Sequence, residues 1–118
     1  VSYYIRKFKS FSKFFDILNY NSKDLFWHLF VIRFNKKFIK RKKKLMKFLK
    51  DKKIASQIHY KPLILHKSLK KSIILNDSNN SIRFYKSQLT LPLHTKMKKN
   101  DIDYLTKTLR IFFSKIKA

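Results

Sequence analysis

The spacing of apolar side chains predicts an amphipathic helix at the start of the chain. Apolar positions recur at alternating steps of four and three residues, which places them on one helical face: Tyr4, Phe8, Phe11, Phe15 and Leu18. The pattern does not decide where this helix ends, because residues 14–18 equally fit a short strand before the turn-forming residues 19–22. We therefore expect a packed helix whose last residues are either helical or extended.

The next two segments predict a strand followed by a helix. Residues 25–34 are rich in aromatic and branched side chains, and the run is too short for a typical helix. Both features are typical of a buried strand. This strand would carry His28. Residues 38–50 then place apolar side chains on one face and the cationic run 40–44 on the other. We expect a helix whose basic side faces solvent.

The middle of the chain predicts a second strand and a loop. Residues 54–60 alternate in a way that is compatible with a strand, which Pro62 would end because proline has no N–H for a ladder. His59 would lie at the end of this strand. Residues 67–80 are polar and are expected to form a surface loop, and residues 81–87 one or two helical turns.

The last segments complete an α/β pattern. Residues 89–93 form a short strand-like run broken by Pro92, and the terminal helix is expected to begin near Asn100, whose side chain can cap it. Asp103 would then lie in the positive first turn. Strands separated by helices favour an α/β layer over a helical bundle.

Composition allows one domain and leaves the meaning of the charge open. The 118 residues are 44% hydrophobic and 16% aromatic, which is enough to pack a modest core. The net charge of +24 would suit a polyanionic partner. However, lysine is abundant while glycine is absent, which is typical of AT-rich coding sequence. A nucleic-acid surface and a compositional bias both remain as explanations, and we favour the second.

Other classes of site are disfavoured by the residue inventory. The chain has no cysteine, so disulfides and thiolate chemistry are excluded, and a cytoplasmic location is expected. No apolar run is long enough for a membrane span. The four histidines show no close ligand pairing, so no metal site is expected: His28, His59, His66 and His94.

Three short stretches resemble motifs of one enzyme family. Residues 27–33 (WHLFVIR), 57–63 (QIHYKPL) and 89–94 (LTLPLH) occur in order, each on the expected kind of element. They resemble the C-terminal small domain of the DegT/DnrJ/EryC1/StrS sugar aminotransferases. Within that family, the forms of the first two stretches look most like the branch of the pseudaminic acid pathway.

The resemblance implies a fold-type-I pyridoxal-phosphate enzyme that transfers an amino group from glutamate to a 4-keto-6-deoxy sugar nucleotide. In the family, the Schiff-base lysine and the phosphate cup lie in a larger preceding domain. Residues 25–118 would be the small domain, a short sheet packed by helices, and residues 1–24 a helix and linker from the large domain. The chain would then contain no catalytic residue and bind no pyridoxal 5'-phosphate alone, and the full-length enzyme would be a homodimer.

By the same resemblance, His59 and Tyr60 would face the sugar nucleotide, with His28 as a third, weaker candidate. An imidazole and a phenol can both hydrogen-bond to sugar hydroxyls or diphosphate oxygens. The alternative is structural: His59 would cap the end of its strand and Tyr60 would pack beneath the loop. His28, in a buried strand, would more often be a satisfied core residue.

The chain also departs from the family pattern at several positions. Ile64 stands where many members have histidine, His66 where they often have glutamine, and Ile82 where a glutamate is common. Lys53 replaces a glycine before the second predicted strand. The rival hypothesis is a small basic nucleic-acid-binding protein, which predicts affinity that falls steeply with salt.

Overall fold

The computed structural model describes residues 1–18, 26–69 and 79–116, which form a small α/β unit. Its helices and strands are α1 (Ser2–Phe8), β1 (Phe15–Ile17), β2 (Phe30–Phe34), α2 (Lys42–Asp51), α3 (Asn79–Ser87), β3 (Gln88–Leu91) and α4 (Lys99–Ser114). Short 3₁₀ turns occupy Lys9–Phe11, Lys36–Arg41, Leu63–Leu65 and Lys67–Leu69. Most of the predicted loop at 67–80 lies outside the described residues.

The first predicted helix ends early, and its last residues are extended. Helix α1 ends at Phe8, a 3₁₀ turn follows, and Phe15–Ile17 forms strand β1. The extended alternative for residues 14–18 is therefore confirmed. The spacing still holds, because Phe11 and Phe15 are buried in the same core as the helical Tyr4 and Phe8.

The three strands form one antiparallel sheet with β2 in the centre. Phe15 pairs with Phe34 on one side of β2, and Phe30 pairs with Leu91 on the other. The predicted strand at 25–34 is thus confirmed only from Phe30 onward. His28 lies before the strand and is exposed, so its predicted place in a buried strand is wrong. The reason is that β3 ends at Leu91, opposite Phe30, and gives earlier residues no partner.

One face of the sheet carries an aromatic core. The ring of Tyr4 stacks on Phe30 at 3.8 Å between centroids, and Phe113 of α4 contacts Phe14 at 4.2 Å. Burial of such rings is the main favourable term for a domain of this size. Side chains from residues 1–18, 26–69 and 79–116 share this core. The domain boundary expected at residue 24 stays a prediction.

Helix α4 is joined to α1 by polar contacts at its first turns. Asp103 accepts hydrogen bonds from the Tyr3 hydroxyl at 2.7 Å and lies 2.8 Å from the Lys7 ammonium. The predicted cap by Asn100 is wrong: the helix begins at Lys99, and the Asp101 carboxylate accepts the backbone N–H of Lys98 at 2.7 Å. An aspartate three residues into the helix can reach this N–H, whereas the Asn100 side chain is exposed.

Helix α2 has a basic face with one exception. Lys42 is only 7% exposed, so the prediction that the whole run 40–44 faces solvent is wrong at this position. Its ammonium Nζ donates to the carbonyl oxygens of Tyr85 at 2.6 Å and Gln88 at 3.2 Å. These two hydrogen bonds tie α2 to the junction of α3 and β3, although burial disfavours the charge on the ammonium.

Helix α2 ends in a motif that normally uses glycine. The Lys53 N–H donates to Lys50 O and the Ile54 N–H to Leu49 O, both at 2.9 Å, while Lys53 has φ of 59°. This is the Schellman pattern, in which the left-handed residue is usually glycine. Buried Ile54 and Leu49 supply its apolar contact. The missing family glycine therefore leaves a lysine in a left-handed conformation.

The predicted strand at 54–60 is wrong in extent. Gln57 forms a single antiparallel bridge with Thr90, and no regular strand surrounds it among the described residues. Pro92 accounts for one side of this bridge, because it lies opposite Ala55 in the antiparallel register and has no N–H with which to extend the pairing. Of the helices that the structure describes, none is long and apolar enough to cross a membrane.

Candidate functional site

A surface depression of about 360 Å³ brings together two of the three sequence-predicted site residues. His28 lines it from the segment before β2, and His59 from the segment after the Gln57 bridge. Phe84 of α3 lines it as well. The other lining residues are Leu18, Phe26, Trp27, Leu29 and Val31.

His59 is held at this depression through Thr90 of β3. The backbone of Gln57 exchanges two hydrogen bonds with Thr90, at 3.0 and 2.8 Å, and so fixes the chain next to His59. The His59 ring nitrogen Nδ1 then lies 2.9 Å from the Thr90 hydroxyl Oγ1. Thr90 is 6% exposed, so this contact is sheltered from water. The imidazole is therefore oriented by the sheet.

Tyr60 projects outward beside His59. It is 76% exposed, and its ring contacts the His59 ring edge to face at 4.8 Å and 86°. The peptide bond between the two residues is cis. The structural alternative, in which Tyr60 packs beneath the loop, does not fit this exposure. Tyr60 is placed where its ring face and hydroxyl are open to a ligand or to another part of a larger protein.

The surroundings of the two histidines are aromatic and uncrowded. Phe26 is fully exposed and Phe84 is 39% exposed, although large apolar side chains are usually buried. Such rings can stack on a sugar face or a base, while imidazoles hydrogen-bond to hydroxyls and phosphate oxygens. The arrangement can bind a polar ligand with an apolar face.

Sequence reasoning did not identify Thr90, Phe26 or Phe84 as site residues. A signal for Thr90 existed, because the family stretch L-S-L-P-L also has a hydroxyl residue at that position. No comparable signal marks the two phenylalanines. Among the residues that the structure describes, no group of three potential ligands could hold a metal ion.

The profile of the DegT/DnrJ/EryC1/StrS aminotransferase family matches residues 1–110. Two similar curated proteins are both named UDP-4-amino-4,6-dideoxy-N-acetyl-beta-L-altrosamine transaminase. The protein of Campylobacter jejuni serotype O:2 is 31% identical over 76% of this chain and 24% of its own length. That of serotype O:23/36 is 30% identical over 98% of the chain and 31% of its own length.

Solved structures show the same fold. Helicobacter pylori PseC, an aminotransferase involved in the biosynthesis of pseudoaminic acid, superposes with a TM-score of 0.87 at 23% identity, over 98% of this chain and 31% of that one. Streptococcus pneumoniae Spr1654 in its PLP-form gives 0.83 at 24% identity, over 99% and 30%. The chain thus spans under a third of the length of these relatives. It belongs to the DegT/DnrJ/EryC1/StrS aminotransferase family.

Proposed function

We propose that this chain is part of a nucleotide-sugar aminotransferase, which transfers an amino group from glutamate to a 4-keto-6-deoxy sugar nucleotide. The proposal is supported by the family match and by the names of the two Campylobacter jejuni relatives. The product would serve the biosynthesis of cell-surface polysaccharide or nonulosonic acid. We propose that the enzyme acts in the cytoplasm.

The proposed role of this chain is to hold the sugar nucleotide at the depression beside β2. The observation that carries this role is the convergence of His28 and His59 on one open concavity. Tyr60 would add its exposed ring and hydroxyl from the rim. Hydrogen bonds to sugar hydroxyls or diphosphate oxygens would orient the substrate, while the aromatic side chains would cover an apolar face.

The cofactor of the full-length enzyme would be pyridoxal 5'-phosphate, which acts as an electron sink and needs a lysine for its Schiff base. Lys42 is the described lysine whose environment comes nearest to that need, because burial lowers its pKa to about 8. It does not fit. Its ammonium is bound by two backbone carbonyls and is enclosed, so an aldehyde could not approach. We therefore do not propose Lys42 as the Schiff-base lysine, and place that lysine in the larger preceding domain.

Binding of a sugar nucleotide by the chain tests the proposed role. We would titrate the ¹⁵N-labelled chain with UDP-N-acetylglucosamine and follow chemical shifts, using pyrophosphate at equal concentration as the control for plain anion binding. Expected are shift changes confined to the depression, at His28, His59 and Tyr60, that persist in moderate salt. His59→Ala should abolish them, while His94→Ala, at an exposed histidine elsewhere, should not.

Two results would contradict the proposal. Shift changes that scatter over the lysines, match those with pyrophosphate and vanish with salt would favour the polyanion-binding alternative. Absence of a cofactor-lysine domain in the same reading frame upstream of Val1 would contradict the proposed transaminase function.

The full-length protein is proposed to be a homodimer, which sedimentation velocity on that protein would check.

A further inference from the structure

Two motifs that are distant in sequence meet at one threonine. Thr90 lies in the stretch LTLPLH, and it contacts the stretch QIHYKPL twice. Its backbone pairs with Gln57, and its hydroxyl Oγ1 lies 2.9 Å from Nδ1 of His59. One residue of the sheet thus fixes both the backbone and the imidazole of the candidate site.

The proton on this contact can be assigned by counting donors and acceptors. A threonine hydroxyl has one proton, and a neutral imidazole has one N–H and one bare nitrogen. If Nδ1–H donated to Oγ1, the hydroxyl proton of Thr90 would be left without an acceptor among the described residues, at a position that is 6% exposed. A buried donor without a partner is unfavourable. If the hydroxyl donates to Nδ1 instead, both groups are satisfied.

We propose that Thr90 is a positioning residue that holds His59 in its Nε2–H tautomer, so that the site offers an N–H donor to an oxygen acceptor of the ligand. Nδ1 is occupied by Thr90, which leaves Nε2 as the nitrogen available at the depression. The ligand group opposite is then a hydroxyl, carbonyl or phosphate oxygen, and not an N–H or ammonium. The assignment of the tautomer depends only on the geometry of the contact between His59 and Thr90, whereas the nature of the ligand group rests on the proposed function.

The test is the tautomer of His59, read from long-range ¹H–¹⁵N correlations of the imidazole in the labelled chain at a pH where histidine is neutral. His59→Gln identifies the signal among the four histidines. Expected is a single Nε2–H form for His59, whereas exposed His94 shows both tautomers. Thr90→Val should bring His59 to the mixture seen for His94, and Thr90→Ser should restore the single form because it keeps the hydroxyl.

A control separates positioning from a general loss of packing. Thr106→Val removes another buried threonine hydroxyl, in α4, and should leave the His59 signal unchanged. An Nδ1–H form of His59, or a mixture that Thr90→Val does not alter, would overturn the proposal. The single tautomer without any binding of UDP-N-acetylglucosamine would refute the proposed function and leave the assignment of Thr90 intact.

Discussion

The hydroxyl of Tyr3 in α1 donates to the carboxylate of Asp103 in α4, at 2.7 Å and across 100 residues of chain. The Lys7 ammonium lies 2.8 Å from the same carboxylate. These two contacts join the helix that begins the described structure to the helix that ends it.

This junction predicts a loss of stability in acid. Hydrogen bonds from Lys7 and Tyr3 hold the pKa of Asp103 below its ordinary value. As the pH falls below about 4, the unfolded chain takes up the proton first, so stability decreases through the lowered pKa. Thermal unfolding should show this acid loss, and Asp103→Asn should be less stable at neutral pH with a flatter acid response. An unchanged acid response in that variant would contradict the prediction.

Removal of the hydroxyl group should have opposite effects on stability at the neighbouring residues Tyr4 and Tyr3. Its hydroxyl is buried and has no partner among the described residues, and burial raises the pKa of this phenol. Because an unpaired buried hydroxyl is unfavourable, Tyr4→Phe should stabilise the chain by about 1 kcal/mol in urea unfolding. Tyr3→Phe removes the same atom but breaks the bond to Asp103, and should destabilise it. Equal effects of both variants would refute the distinction.

Lys53 predicts a stabilising substitution at the end of α2. Its φ of 59° is accessible to glycine without a steric penalty, so Lys53→Gly should raise the free energy of unfolding by about 1 kcal/mol. Lys53→Ala is the matched control, because it removes the charge and keeps Cβ. We expect little change from alanine in urea unfolding, and a gain as large as that of glycine would mean that charge, and not backbone conformation, is responsible.

Lys42 predicts a rise of stability in base. Burial, together with the neighbouring Lys43 charge, lowers its pKa from 10.5 to about 8, so between these values the folded chain has lost a proton that the unfolded chain retains. Stability should therefore increase as the pH rises. Relative to Lys42→Met, the gain should be about 2 kcal/mol between roughly pH 7 and 9.5. Exposed Lys44→Met is the control and should keep the wild-type pH dependence. A parallel pH profile for Lys42→Met would contradict the shift.

The exposed apolar side chains near the depression predict self-association of the isolated chain. Phe26 and Phe84 line the depression and are large and exposed, and high net charge opposes their contact between copies. Salt screens this repulsion, so sedimentation velocity should show oligomers that increase with ionic strength. Phe26→Ser should reduce them more than Ile111→Ser, a change at an exposed residue of α4. A monomer at all salt concentrations would refute this prediction.

Periodic segments were predictable from the sequence because local spacing determines which face can be buried. Helix α4 follows the predicted pattern closely, and α3 contains the helical turns expected at residues 81–87. The place where α1 ends was not decided, since phenylalanine suits both a helix and a strand, and the sheet partner of β1 makes the difference. The burial of Lys42 could not be predicted from the local sequence pattern either, because it depends on carbonyl oxygens of α3 and β3 that accept hydrogen bonds from its ammonium.

The candidate site was predictable in part. His59 and Tyr60 came from the motif resemblance, and the structure places them together at an open surface. The exposure of His28 could not be predicted, because the length of β2 is limited by the length of its partner β3. The contact between His59 and Thr90 needs two segments that meet only in the folded chain.

The left-handed lysine at the end of α2 has a consequence at the level of the gene. All glycine codons begin with two guanines, while both lysine codons begin with two adenines. A change from Lys53 to glycine, the residue that this backbone conformation favours, thus requires substitutions at both of these bases. Each substitution runs against the AT-rich coding bias that the absence of glycine and the abundance of lysine indicate. Selection for stability alone would have to act through an intermediate codon for arginine or glutamate, neither of which relieves the left-handed conformation.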